Sequence, residues 1–223
     1  MCKKILIIAP HPDDETLGAG GTILKHIAAG DKTHWLIITD ILPEHGWERE
    51  QITSRQKEID HVAKQYGFEG VHKLGFPTTK LDEIPMREII ASIAAVILAI
   101  KPAVIYLQNR SDIHSDHRVA FEAIIACTKS FRSPFIERVL MYETITETDF
   151  SPPLHERQFI PNSFVDISKY LEKKVDILKT YKSEMMEPPL PRSLNNVRHL
   201  AHYRGSRIGA MAAEAFQLIY ERA

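Results

Sequence analysis

Apolar and polar positions along this chain switch repeatedly between a strand-like and a helix-like pattern. Ile5-Leu6-Ile7-Ile8 forms a continuous apolar run within residues 4–9, the mark of a strand buried on both faces. Residues 19–29 take up helical spacing and stop at Gly30, and 33–39 return to a strand. The rhythm continues with a helix over 48–66 ended by Gly67, a short strand over 71–74, and a helix over 86–100 that Pro85 opens and that ends before Pro102. A strand over 103–107 and a helix over 117–130 follow. Strand and helix in strict alternation predict parallel strands joined by right-handed crossovers, hence a layered α/β sheet. The last third is less regular. Strands are expected over 138–142 and 163–166, on either side of the polar, proline-bearing stretch 143–161, and a charged amphipathic helix over 168–181. Pro188, Pro189 and Pro191 mark a stiff loop before a last helix expected from about Leu194 to Tyr220. The loops 40–47, 76–85 and 143–161 lie where they could shape a pocket.

Size and charge narrow the function classes. With 223 residues, 44% of them hydrophobic, the chain is expected to form one domain over 1–223. Its 28 basic and 29 acidic side chains leave no electrostatic footprint for nucleic acid or an anionic membrane surface. Cys2 and Cys127 form neither a metal-ligand pair nor a disulfide framework, which fits a reducing compartment. Pro10, His11 and Asp13 interrupt the first apolar run before a signal-peptide core could form, and no apolar run is long enough to span a bilayer. The expectation is a cytoplasmic protein that acts on a small molecule. Ala210, Ala212 and Ala213 could pack in the core or between copies of the chain, so a homo-oligomer stays open.

Two segments carry candidate chemistry. Ala9-Pro10-His11-Pro12-Asp13-Asp14-Glu15 follows the first strand, and Asp112-Ile113-His114-Ser115-Asp116-His117 follows the strand over 103–107. Open α/β sheets build their sites at such carboxyl ends, so His11, Asp14 and His117 could meet although remote in sequence. Imidazole and carboxylate suit zinc, and three protein ligands leave the open position that catalysis needs. Asp13, between two ligands in a tight turn, would stay free to act as general base on a water whose pKa the cation lowers to roughly 7. If His117 is the ligand, His114 can stand protonated beside the substrate, stabilise oxyanion charge and return a proton to a leaving amine. Asp116 is suited to orienting an imidazole. A lone His-Pro-Asp is ordinarily a turn and a lone Asp before a helix an N-cap, so it is the pairing of the two segments that points to a site. Gly18, Gly20 and Gly21 could cradle a phosphate, but the full dinucleotide fingerprint is missing, and close helix packing is the simpler reading. His26, His34, His61 and His72 read as surface or core residues. His199 and His202 share a helix face without a carboxylate partner.

The first segment with Gly20-Gly21-Thr22, and the second with Arg118, resemble the PIG-L or LmbE-like family of zinc-dependent N-deacetylases, which act on N-acetylglucosamine-containing molecules. Arg55-Gln56-Lys57-Glu58, Tyr142-Glu143, Phe164-Val165-Asp166-Ile167, Tyr203-Arg204-Gly205 and Ala213-Glu214-Ala215-Phe216 extend the likeness over most of the chain. The resemblance implies a Rossmann-like α/β fold, mostly parallel, with helices on both faces. It implies one zinc held by His11, Asp14 and His117, Asp13 as general base, and His114 as oxyanion and leaving-group partner. Arg55 matches an arginine near substrate hydroxyls, although an ion pair with Glu58 would explain it as well. The family often has Tyr-x-Ser-Gln where this chain has Tyr181-Lys182-Ser183-Glu184, so no role passes to Glu184. The expected reaction is removal of the acetyl group from an N-acetylated amino sugar or its conjugate. A metal-dependent phosphoesterase would want a second metal and more clustered carboxylates. A non-catalytic nucleotide-binding module would leave Asp13 and His114 without a purpose.

Overall fold

Successive side chains of the first strand, β1 (Lys4–Ala9), point to opposite faces of the sheet and enter two separate cores. Ile5, Ile7 and Ala9 pack on one side, Leu6 and Ile8 on the other, and all five are fully buried. This explains why the strand is apolar throughout. The computed structural model describes residues 2–222; Met1 and Ala223, the ends of the expected 1–223 domain, lie outside the described residues. After β1 come α1 (Asp14–Ala28), β2 (Lys32–Asp40), α2 (Arg49–Tyr66), β3 (Gly70–Pro77), α3 (Met86–Ile100), β4 (Val104–Gln108) and α4 (Ser115–Cys127). Then follow β5 (Arg138–Tyr142), β6 (Ser163–Asp166), α5 (Leu171–Leu178), α6 (Leu194–Ser206) and β7 (Ala213–Glu221). Helices α1, α2, α5 and α6 cover the face of Ile5, and α3 and α4 cover the face of Leu6. On α3, Ile89, Ile93, Ile97 and Ile100 form a buried stripe at helical spacing, worth about 1.5–3 kcal/mol per side chain. No helix among the described residues is long and apolar enough to cross a membrane.

The seven strands lie in the order β3-β2-β1-β4-β5-β7-β6, and only β7 runs against the rest. Chain order reverses between β1 and its neighbours β2 and β4, so a crevice opens at the carboxyl ends of β1 and β4, as expected for a Rossmann-like sheet. The loops 10–13 and 109–114 leave from there.

The expected last helix is half wrong. It ends at Ser206, and after Gly209, whose φ is 69°, the chain returns as β7 between β5 and β6. Ala213-Glu214-Ala215 favours a helix locally, but pairing on both sides of the strand overrides a preference of a few tenths of a kcal/mol per residue. Helix α1 starts at Asp14, five residues before the expected Ala19, because its glycines are packing residues rather than helix breakers. The other elements lie within a few residues of expectation.

A Cβ on Gly18 would sit 2.1 Å from Cδ2 of the buried Tyr142, whose hydroxyl donates to the Ile8 carbonyl at 2.8 Å. The N–H groups of Gly21 and Thr22 donate to the Glu214 carboxylate at 2.8 and 2.7 Å, and Lys174 Nζ pairs with that carboxylate at 2.7 Å. The anion held by the Gly21 and Thr22 N–H groups is therefore the protein's own, which removes the case for a nucleotide cradle. Alanine in a helix ordinarily gains about 1 kcal/mol over glycine. For Gly18→Ala the overlap with Tyr142 reverses the sign, and denaturant unfolding is expected to give a loss of about 1–3 kcal/mol.

Candidate metal and catalytic site

The turn after β1 is anchored before it carries any chemistry. The Pro10 carbonyl accepts from the N–H and hydroxyl of Thr39 at 3.0 and 2.8 Å, tying the ends of β1 and β2 together. Asp13 then adopts φ 139°, a conformation that an L-residue holds only at a cost of about 1–3 kcal/mol. Its N–H donates to Glu15 at 3.1 Å, and its carbonyl accepts from Thr16 and Leu17 at 3.0 and 2.8 Å. Glu15 is itself buried, with Tyr181 donating to it at 2.7 Å. Burial pushes its carboxyl up to about 7 against the hydrogen bonds from Thr16, Tyr181 and Asp13. The strained turn points Asp14 and Asp13 in different directions.

Asp14 and two imidazoles converge. His117 Nε2 lies 3.2 Å from Asp14 Oδ2 and 3.3 Å from His11 Nδ1, and His11 Nδ1 lies 3.6 Å from Asp14 Oδ2. Four-coordinate zinc with ligands at about 2.0–2.1 Å separates them by roughly 3.3 Å, so the triangle has the right size. Its lone pairs are aimed correctly as well. The other nitrogen of His11, Nε2, pairs with Asp116 at 3.0 Å, and the other nitrogen of His117, Nδ1, pairs with Asp112 at 2.8 Å. Each carboxylate fixes the proton on the far nitrogen and turns the near one inward as an acceptor. Asp116 is held by the N–H groups of Thr79 and Leu81, and Asp112 by the Thr148 hydroxyl. Asp14 Oδ1 is buried with no hydrogen-bond partner.

Three acceptors facing one point repel one another unless positive charge sits among them. The protonation of the residues reflects this. Burial lowers His11, but Asp116 and Asp14 outweigh it and raise its pKa to about 9. Burial likewise opposes the charged forms of His117 and Asp14, yet mutual pairing holds His117 well above the usual histidine range and Asp14 well below the usual carboxylate range. A divalent cation supplies the same charge, so the donor set and the unpartnered Asp14 oxygen fit a metal. Asp112→Ala, which frees the His117 ring, is expected to weaken metal affinity roughly 10–100-fold in chelator competition.

Asp13 and His114 stand beside the triangle, on the wall of a cleft of roughly 210 Å³ also lined by Trp47, Arg55, Glu147, Glu184 and Arg192. Burial and the Asp14 charge push the Asp13 carboxyl well up, and Arg192, 2.9 Å away, pulls it back. His114 is the N-cap of α4, and its Nδ1 accepts the Asp116 N–H at 3.1 Å. Burial, then the neighbouring His11 and His117, lower its pKa to about 4. That lowering favours the neutral ring, with its remaining proton on Nε2, over the protonated one expected. Arg55 donates to the Pro12 carbonyl at 3.2 Å and to Glu184, and Glu58 lies 3.7 Å from its Nε. Arg192 joins Asp13 to Glu184 at 3.4 Å and Glu147 at 3.2 Å. Sequence reasoning named neither Arg192 nor Glu147 and gave Asp112 no role. Only Asp112 carried a signal, as a carboxylate five residues before the candidate ligand His117.

Residues 6–128, more than half of the chain, match the family model PIG-L, GlcNAc-PI de-N-acetylase. The chain is 28% identical to the diacetylchitobiose deacetylase of Thermococcus kodakarensis, in an alignment covering 97% of this chain and 83% of that one. It is 25% identical to the probable N-acetyl-alpha-D-glucosaminyl L-malate deacetylase 2 of Bacillus cereus, covering 82% and 84%. Among solved structures, the conserved protein TT1542 of Thermus thermophilus superposes with a TM-score of 0.78 at 25% identity, covering 99% of this chain and 96% of that one.

Proposed function

From this chain's membership of the PIG-L family, to which it belongs, we propose that it is a zinc-dependent hydrolase that releases acetate from an N-acetylated amino sugar or its conjugate. The observation that carries the proposal is the triangle of inward-facing acceptors with Asp13 beside it and outside it. His11, Asp14 and His117 would hold one zinc per chain. When bound, it polarises the amide carbonyl and acidifies water. Asp13 takes a proton from the attacking water. Its carboxyl is pushed up by burial and Asp14, so it can hold that proton and return it to the leaving nitrogen. Arg192 keeps the emptied carboxylate ionised and oriented. His114 donates from Nε2 to the oxygen on which negative charge develops. Asp116 and Asp112 fix the ligand rings, and Arg55 reaches toward substrate hydroxyls at the cleft wall.

The two named relatives differ in the charge of their substrates: diacetylchitobiose is uncharged, and a malate conjugate carries carboxylates. A phosphoesterase reading would need a second cation. The only other candidate cluster among the described residues, His11, His114 and Asp116, shares His11 with the first. The chain is further proposed to be one domain, cytoplasmic, active on a small molecule without nucleic acid, alone or as a homo-oligomer.

The direct experiment is acetate release from a panel of N-acetyl sugars and sugar phosphates. Acetate supports the proposal, and phosphate without acetate contradicts it. A pH profile tests His114 separately. Burial, the largest cause, lowers His114 below the usual histidine range, so it is expected to be neutral near pH 7 and to place no limb near 6.5 on kcat/KM. An acid limb near 6.5 that disappears in His114→Gln would contradict the neutral donor.

A further inference from the structure

Every guanidinium in the cleft already faces a carboxylate. The arginines lining it are Arg55 and Arg192, and Glu184 bridges them, accepting from Arg55 through Oε1 and lying 3.4 Å from Arg192 through Oε2. Arg55 also faces Glu58, and Arg192 also faces Asp13 and Glu147. Burial would neutralise Glu184, but the two arginines outweigh it and hold its carboxyl below the usual range, so it is ionised at neutral pH. Glu147, on the same wall, pairs with Arg192 through Oε1 at 3.2 Å. A wall of arginines already neutralised by carboxylates suits an uncharged, hydroxyl-bearing substrate. A phosphate entering the same space would have to displace Glu184 from both guanidinium groups and then lie against its charge.

Resting on the deacetylase reading above, we propose that Glu184 sets substrate charge in this cleft, selecting uncharged N-acetyl amino sugars and rejecting phosphorylated ones. Rejection by a like charge is specificity through repulsion. It fades as salt screens the pair, over a Debye length of about 8 Å at physiological ionic strength. Glutamine in this position keeps the shape and one acceptor but surrenders the charge, removing the carboxylate shared by Arg55 and Arg192.

The test uses the zinc-loaded enzyme and reads kcat/KM for acetate release from N,N′-diacetylchitobiose and from N-acetylglucosamine 1-phosphate. For the wild type the disaccharide is expected to win by about tenfold or more, with the ratio narrowing at high salt. Glu184→Gln is expected to shift the ratio toward the phosphate by about tenfold, and Glu184→Asp, which keeps the charge, to stay near the wild type. Thermal melts of both variants check folding, and the wild-type ratio and its salt dependence stand even if the glutamine variant misfolds. Equal or better turnover of the phosphate by the wild type, or the same shift in both variants, would overturn the role of Glu184 while leaving the deacetylase reading intact. Acetate from neither substrate nor any other N-acetyl sugar would instead overturn that reading, and this inference with it.

Discussion

Asp13→Asn is expected to leave zinc bound at one per chain while lowering kcat by about a hundredfold or more, the range for loss of a general base. The two halves of this result have separate causes. Asp13 contributes no atom to the triangle of His11, Asp14 and His117, so the substitution leaves the donor set complete. Asparagine can still accept from Arg192, which preserves the position of the side chain. It cannot take a proton from water. Because catalysis and not affinity is lost, KM should change little compared with kcat. Loss of the metal along with activity would mean that Asp13 and Asp14 have exchanged roles.

Removing zinc, or replacing His117 with Ala, is expected to reduce acetate release to background and to lower the melting temperature. A ligand present at a thousandfold its Kd stabilises the fold by about 4 kcal/mol. For a chain of this size that corresponds to roughly 8–16 °C. The site's protonation adds a signature that a merely structural effect would lack. In the metal-free protein His11 carries a proton up to about pH 9, and zinc needs the neutral ring. His117 is held high as well, so binding at pH 7 releases protons. Affinity should rise with pH through 7 and 8, and calorimetry in buffers of different ionisation heat measures the release. Unchanged affinity between pH 6 and 8 would contradict the assignment of His11 as a ligand.

That His11, Asp14 and His117 meet, with Asp13 and His114 beside them, could be read from the sequence because each lies in one of two short segments at strand ends, where chain order reverses in the sheet. The strand-end rule supplies the proximity, and residue type supplies the chemistry. What could not be read comes from contacts across the fold. Arg192 reaches Asp13 from a proline-rich loop 179 residues away, and Glu147 comes from the loop after β5. No local pattern announces either. The protonation state of His114 was likewise out of reach, since it depends on a backbone N–H two residues on and on burial. The β7 strand was hidden for a different reason. Its residues favour a helix on their own, and only Gly209 and the alternation of Phe216, Leu218 and Tyr220 hinted that pairing with β5 would win. The glycines of α1 were read correctly as packing residues, with Tyr142 and Ile167 as the partners that exclude a Cβ at Gly18 and Gly21.

The central claim is tested most directly by measuring acetate released from N,N′-diacetylchitobiose by one protein preparation in three states: as purified, stripped by a chelator, and reloaded with one equivalent of zinc. The account predicts release, loss and recovery, with no recovery for His117→Ala under the same reloading. Undiminished acetate release after complete removal of the metal would contradict it.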